Sequence, residues 1–262
     1  MASELPPENP YAATSYGSQQ NTLRQEYQFK PIDRLAKPII VLMVCVLMAS
    51  IIVMIADTIG HLMFPTYSDP DAAVSEEEMG LLLLIMGVAA IQVLSTLVLG
   101  ILVCIFMYRA NANARSFGAI GMEHSPGWCA GAWFVPILNL FRPFQCMSEI
   151  YRASKAPATF KQIDAPQKIG MWWACWIIST ILDRLSGRLA LMGDFGYNLL
   201  IMDWISLFLT LGAGLLLLSI VNDIVRFQAA LLNGGNANDN PQLFGTQTAP
   251  PPTAPSNDRF EI

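Results

Sequence analysis

Polar residues that suit a ligand gather at the end of the second long apolar run. Arg109, Asn111, Asn113 and Arg115 stand there at alternate positions. Paired guanidinium and amide groups suit a phosphate, so one hypothesis is a site for a ligand or a lipid head group. The alternative is charge anchoring at the cytoplasmic side of a membrane with capping of a helix C-terminus, and the sequence favours this alternative.

A second group of candidates lies in the stretch SPGWCAGAWFVPILNLFRP, residues 125–143. These residues either line a pocket or place tryptophans in the aromatic belt of a membrane while Pro136 and Asn139 shape a turn. The sequence does not separate the two, because an intramembrane asparagine beside a helix break is costly unless it has a role. The candidates are Trp128, Trp133, Pro136, Asn139 and Pro143, together with Arg152 further along.

An isolated acid, Asp203, stands inside the fourth apolar run. An acidic group at that depth could belong to a proton or cation path. Pairing with Arg184 or Arg188 at the outer interface, or a later start of the span, is the favoured alternative. Nearer the other end of the same run, Asp223 and Arg226 are expected to pair on the helix surface.

Catalytic and metal-binding signatures do not accompany these residues. The five cysteines are well separated without a CxxC spacing, and neither His61 nor His124 has a second metal ligand nearby in sequence. No G-x-S-x-G, H-E-x-x-H or Walker A pattern is present. We therefore expect no catalytic residues, no metal, no cofactor and no enzyme activity.

Long apolar runs must position the candidate residues. Hydrophobic residues make up 53% of the chain and charged residues 13%, against about 25% charged in a soluble domain. A bilayer core of about 30 Å needs ~20 helical residues, so the fold class is an all-α integral membrane protein. Four spans are predicted, at about 38–59, 80–108, 169–182 and 197–225, within a membrane domain at 37–231.

The two ends of the chain differ from this domain in composition. Residues 1–36 are polar and turn-rich, and residues 232–262 are rich in Gly, Asn and Pro. Neither end has apolar residues for a core, so both are predicted to be disordered and cytoplasmic.

Charge distribution predicts the orientation of the spans. Of the 15 Lys and Arg residues, all but Arg184 and Arg188 fall at the two ends or between spans two and three. The positive-inside rule places those regions in the cytoplasm. The net charge of -5 and the lack of a basic run argue against a nucleic-acid partner.

Residues 127–141 are too short to cross a bilayer, and Pro136 removes a helix hydrogen bond within them. Positive residues on both flanks belong to the same side of the membrane. We therefore expect a Pro-broken re-entrant or interfacial element between spans two and three.

The run MYRANANARSFGAIGMEHSPGWCAGAWFVPILNLFRPFQCMSEIYRAS resembles the signature of a bacterial membrane family called domain of unknown function 4328. The resemblance covers about residues 80–230. It implies a four-helix domain in the bacterial inner (cell) membrane, with no established activity and no catalytic residues to transfer. The motif residues are Arg109, Asn113, Ala114, Gly127, Trp128, Trp133, Phe134, Pro136, Asn139, Leu140, Pro143, Arg152, Ala153 and Ser154, followed by Trp172 and Trp173 at the start of the next span.

The expected function is that of a non-enzymatic scaffold or accessory subunit. Its 109–168 region would bind membrane lipid or a protein partner, and the chain could form a homo-oligomer. The alternative is a small oligomeric transporter or channel in which Asn139 and Asp203 face a pore. An intramembrane enzyme is a weaker idea, since it needs a clustered acid, base or nucleophile that the sequence spacing does not show.

Overall fold

The computed structural model describes residues 18–19, 21–23, 25–64, 73–192 and 197–233. It is 84% helix, with no strand among those residues. The two ends that are predicted to be disordered are residues 1–36 and 232–262. Most of these residues lie outside the described part of the chain. The helices are α1 (Asp33–Met63), α2 (Glu76–Ser116), α3 (Pro126–Gly131), α4 (Arg142–Lys155), α5 (Gln167–Leu191) and α6 (Tyr197–Leu232), with 3₁₀ turns at Ala132–Phe134, Leu138–Leu140 and Phe160–Gln162.

Three of these helices, α1, α2 and α6, are long and apolar enough to cross a membrane. They contain the first, second and fourth predicted spans. The third predicted span, 169–182, lies within α5. Helix α5, with 25 residues, is long enough to cross a membrane. Its three tryptophans and the charged Asp183 and Arg184 make its mean hydropathy lower than that of the other three helices.

Helix α5 runs antiparallel along α6. Lys168, in the first turn of α5, forms an ion pair with Asp223 near the end of α6, whereas Asp183 accepts a hydrogen bond from Ser206 towards the other end. The expected pair between Asp223 and Arg226 is therefore not what the structure shows. Packing of α5 against α6 brings the Lys168 ammonium group to Asp223 instead.

The buried core lies at one end of the bundle, where α4 packs against α2 and α6. Away from that end, α2 packs mainly against α1 and leaves its other faces exposed. Lipid tails are as apolar as leucine, so a bilayer would cover such faces without cost. The largest fully buried apolar side chains are Trp172, Phe106, Ile39, Met107, Met147, Ile150, Ile169, Ile220 and Ile224.

Close packing between α1 and α6 depends on Gly214. A Cβ atom at Gly214 would lie 2.8 Å from Cδ1 of Leu47. Gly214→Val is expected to lower the free energy of unfolding by about 1–3 kcal/mol, because overpacking forces side chains to shift. Gly212→Val is the matched control on the same helix, since nothing lies within 4 Å of its added Cβ. Equal melting temperatures of the two variants in detergent would show that this contact is loose.

Candidate functional site

Proline residues divide the chain between α2 and α4 into short elements. Pro126 occupies the first turn of α3, whose N-cap Ser125 accepts a hydrogen bond from the Trp128 amide at 3.4 Å. Pro136 lies between two 3₁₀ turns, and Pro143 lies buried in the first turn of α4. Residues 127–141 are therefore not one continuous helix.

The end of α2 fixes the loop that precedes α3. The fully buried Asn111 amide donates hydrogen bonds to the His124 carbonyl oxygen at 3.0 Å and to Cys129 Sγ at 3.2 Å. Arg115 Nη2 donates to the carbonyl oxygens of His124 at 2.9 Å and Met122 at 3.2 Å. Two residues of the first candidate group thus hold backbone of the same chain.

A buried polar cluster forms where this loop meets α4. The Glu149 carboxylate accepts hydrogen bonds from the backbone amides of Glu123 and His124 and from His124 Nδ1, the last at 2.9 Å. Arg142 Nη1 lies 2.6 Å from His124 Nε2. Because arginine only donates, Nε2 accepts and the proton of the imidazole is on Nδ1. Glu149, His124 and Arg142 therefore form one directed chain of hydrogen bonds.

A cavity of about 460 Å³, which we call the polar cavity, adjoins this cluster. Arg152, a candidate from the sequence, contributes to its wall and donates from Nε to the Ser148 carbonyl oxygen at 3.3 Å. Ser148 is also in the wall and is 7% exposed. The residues that line the polar cavity are Glu123, His124, Phe141, Arg142, Phe144, Gln145, Ser148, Glu149, Arg152 and Ala165.

Sequence reasoning missed His124, Ser148 and Glu149. His124 and Glu149 are 25 positions apart, and only the fold brings them together. One signal was present: Glu149 and Ser148 interrupt the run CMSEIY, in which every residue is buried. A carboxylate inside such a run needs partners, because burial of an unpaired charge is very costly.

Trp133 anchors the 3₁₀ segment onto α5. Its ring lies edge-on to Trp173, with centroids 5.8 Å apart, and to Trp176, at 5.5 Å. Its Nε1 donates to Met107 Sδ at 3.4 Å, and Trp173 Nε1 donates to the Leu140 carbonyl oxygen at 3.0 Å. Trp133 is half-buried and serves packing at this position.

The other side of the same segment is exposed and apolar. We call it the outer apolar face, and it consists of Trp128, Phe134, Ile137, Leu140 and Phe141. Phe134 is 76% exposed and Ile137 73%. Pro136 is exposed as well, between these two residues. Contiguous apolar exposure of this kind marks a protein or membrane contact.

Asn139 is half-buried between the two sides of the segment. Its backbone amide donates to the Val135 carbonyl oxygen at 2.8 Å. Its Oδ1 atom is buried and has no hydrogen-bond partner in the described part of the chain. Pro136 lacks an N–H donor, so the backbone group that it leaves unpaired is a carbonyl oxygen, which Oδ1 cannot satisfy.

Asn113 and Gln228 together join four parts of the chain at one end of the bundle. Its amide donates to the Lys30 carbonyl oxygen and to Gln228 Oε1, both at 2.8 Å, and its Oδ1 accepts from the Lys30 amide at 2.9 Å. Gln228 Nε2 donates to Ala110 O and to Ser154 Oγ, each at 2.9 Å. We call Asn113, Gln228 and these partners the amide clasp.

Arg109 lies outside both the amide clasp and the polar cavity. It lines a separate cavity of about 230 Å³ together with Glu26, Tyr27 and Lys30. Partial burial and the hydrogen bond with Glu26 raise the pKa of Tyr27 above its usual value. Glu26 gives this second cavity a mixed charge.

Asp203 is half-buried on α6, within electrostatic range of Asp57 on α1 and Asp183 on α5. The structure shows no ion pair of Asp203 with Arg184 or Arg188 among the described residues. Asp183 and the Ser179 carbonyl oxygen of α5 accept hydrogen bonds from Ser206 of α6 here, and both arginines are exposed. Within the described ranges no group of three His, Cys, Asp or Glu side chains could hold a metal ion.

An apolar cavity of about 480 Å³ separates α2 from α5 in the middle of the bundle. Trp133 and Phe134 lie at its wall beside Trp172 and Trp176.

A hydrogen bond with Cys146 and burial raise the pKa of the Cys129 thiol. Cys129 and Cys146 are fully buried, and such thiols behave as small apolar groups.

Comparison with known proteins gives a family but no individual relative. No curated protein and no solved structure matches the chain. The model of one family, domain of unknown function (DUF4328), matches residues 71–226, which is more than half of the chain and includes α2 to α5, the polar cavity and most of α6. The resemblance seen in the motif residues is confirmed, and the chain belongs to the DUF4328 family.

Proposed function

We propose that the chain crosses the bilayer four times, through α1, α2, α5 and α6. The proposal for α5 is supported by its antiparallel course along α6, with polar contacts towards both ends. Its 25 residues span about 37 Å, more than the ~30 Å of a hydrocarbon core. Packing against α6 offsets its lower hydropathy, and the three tryptophans suit an interface.

Both termini and the 109–168 region lie on the cytoplasmic side of the inner membrane in this proposal, because nearly all Lys and Arg residues fall there. A cysteine introduced at Ser75, before α2, is expected to react with a membrane-impermeant maleimide from outside the cell. The unmodified chain, with its native cysteines, is the control. If position 75 is labelled only after the membrane has been permeabilised, the proposed orientation is wrong.

The function that we propose is that of a non-enzymatic accessory subunit or scaffold whose 109–168 region binds lipid. The outer apolar face is the observation that carries this proposal. Its five members are large, exposed apolar residues between positions 128 and 141, and Trp133 within the same stretch packs against Trp173 of α5. Such a face is suited to the level of the lipid head groups and upper acyl chains, as in interfacial segments.

Photo-crosslinking in nanodiscs tests this function directly. A benzophenone amino acid at Ile137, on the outer apolar face, is expected to form adducts with lipid. The same group at the exposed Gln162, on a polar 3₁₀ turn of the same region, is the matched control and should give few. Adducts at Ile137 with protein only, or none with lipid, would contradict lipid binding.

The alternative function is a small oligomeric transporter or channel. It is favoured by the proximity of Asp57, Asp183 and Asp203 on three helices. Ion or substrate flux into liposomes that is unchanged in an Asn139→Ala, Asp203→Asn double variant would exclude this alternative.

A further inference from the structure

Helix α4 contributes most of the wall of the polar cavity. Its polar residues there are Arg142, Gln145, Ser148, Glu149 and Arg152. The Ser148 Oγ atom has no hydrogen-bond partner among the described residues, but it also has almost no accessible surface, so a ligand in the cavity would not reach it. The groups that can meet a ligand are therefore the longer side chains.

Two guanidinium groups line the polar cavity. Arg142 uses Nη1 to reach His124, and Arg152 uses Nε to reach the Ser148 backbone. A guanidinium group has five N–H donors in a planar fork. Each arginine therefore retains donors for a ligand, and its existing bond holds it in place.

The two glutamates of the polar cavity, Glu149 and Glu123, only partly offset the positive charges of the two arginines. Glu149 is 4% exposed and already accepts three N–H hydrogen bonds, which stabilise its charge locally. Glu123 is exposed, and water screens its side chain. Both ring nitrogens of His124 are already in use. The donors of the cavity that a ligand could reach are those of the two arginines and the Gln145 amide.

We propose that the polar cavity binds a phosphate group between the guanidinium groups of Arg142 and Arg152. Phosphate oxygens match the guanidinium fork and accept several hydrogen bonds at once. The apolar Phe141 and Phe144 in the wall suit a phosphate that carries an organic substituent. A phospholipid head group and a soluble phosphate ester share this chemistry. This inference rests on the proposed function, in which the 109–168 region lies at the level of the head groups.

Binding is measured with the full chain in maltoside micelles and phosphate-free buffer, by calorimetry. The probes are inorganic phosphate, glycerol phosphate and a short-chain phosphatidic acid. Heat with the lipid alone identifies a head group as the ligand, whereas heat with all three identifies a free phosphate group. No heat with any probe overturns the inference.

Variants then assign the binding to the polar cavity. Arg152→Gln and Arg142→Gln are expected to weaken binding at least tenfold, since each removes charge-assisted hydrogen bonds. Arg109→Gln, in the neighbouring cavity, is the control and should bind as the unmodified protein does. Ser148→Ala should also bind as the unmodified protein does, because a ligand does not reach the Ser148 hydroxyl. Binding by Arg142→Gln and Arg152→Gln that equals binding by the unmodified protein overturns the inference.

Failure of this inference can be told from failure of the proposed function. If no phosphate binds but lipid adducts still form at Ile137, only the phosphate site is excluded. Absent adducts at Ile137 remove the lipid-binding function, whatever the calorimetry shows.

Discussion

Replacement of Glu149 with leucine is expected to lower the free energy of unfolding by about 3–5 kcal/mol. The Glu149 carboxylate is the common acceptor for two backbone amides and for His124 Nδ1. Removing it leaves three donors without a partner, two of them on the buried His124, and frees the imidazole that Arg142 contacts. Thermal unfolding in maltoside, followed by circular dichroism, measures the effect.

Two milder changes calibrate this result. Glu149→Gln should destabilise the protein less than Glu149→Leu, because the amide oxygen still accepts hydrogen bonds while its NH₂ group opposes a donor. Glu123→Gln, at an exposed residue of the same cavity, should stay within about 0.5 kcal/mol of the unmodified protein. If Glu149→Leu melts together with Glu123→Gln, the cluster does not support the fold.

Asn113→Leu is the second substitution with a large expected effect, again about 3–5 kcal/mol of unfolding free energy. The amide of Asn113 makes three hydrogen bonds at a fully buried position. Leucine would leave Gln228 Oε1 and both backbone groups of Lys30 unpaired. Proteolysis should also begin earlier near residue 30, because that segment loses its attachment to α2.

A double-mutant cycle separates the bond between Asn113 and Gln228 from the other effects. The two leucine substitutions together should cost less than the sum of the single ones, by about 0.5–3 kcal/mol, since each already breaks the shared bond. Asn222→Leu, exposed on α6, is the control and should be near neutral. Strict additivity would mean that the amide clasp does not act as a unit.

Apolar runs predicted α1, α2 and α6 well, because the length and hydropathy of a helix are local properties of the sequence. Prediction of α5 as a span depended on the tryptophans and on the position of nearby charges. The broken segment at 127–141 was also expected from Pro136, whose missing amide hydrogen prevents a continuous helix. These features need no knowledge of which helices touch.

The polar cavity could not be predicted in the same way. Arg142 was visible in the sequence only as one positive charge on the cytoplasmic side, and His124 only as a residue without a neighbouring ligand. Their partner Glu149 reaches them because α4 folds back under the end of α2. Conversely, the sequence predicts Asn113 as a candidate ligand-binding residue, whereas in the fold its amide is used in the hydrogen bonds of the amide clasp.

The amide clasp sets an order in which the protein can be completed during synthesis. Helices α1 and α2 are neighbours in the chain and pack together, as do α5 and α6, so each hairpin can form from a continuous stretch. Gln228, which bonds both α2 and α4, lies near the end of the last helix. Nearly all of the chain from α1 to α6 must therefore leave the ribosome before Gln228 can add its bonds to the contacts between the two hairpins. Until Gln228 has been made, Asn113 lacks that partner.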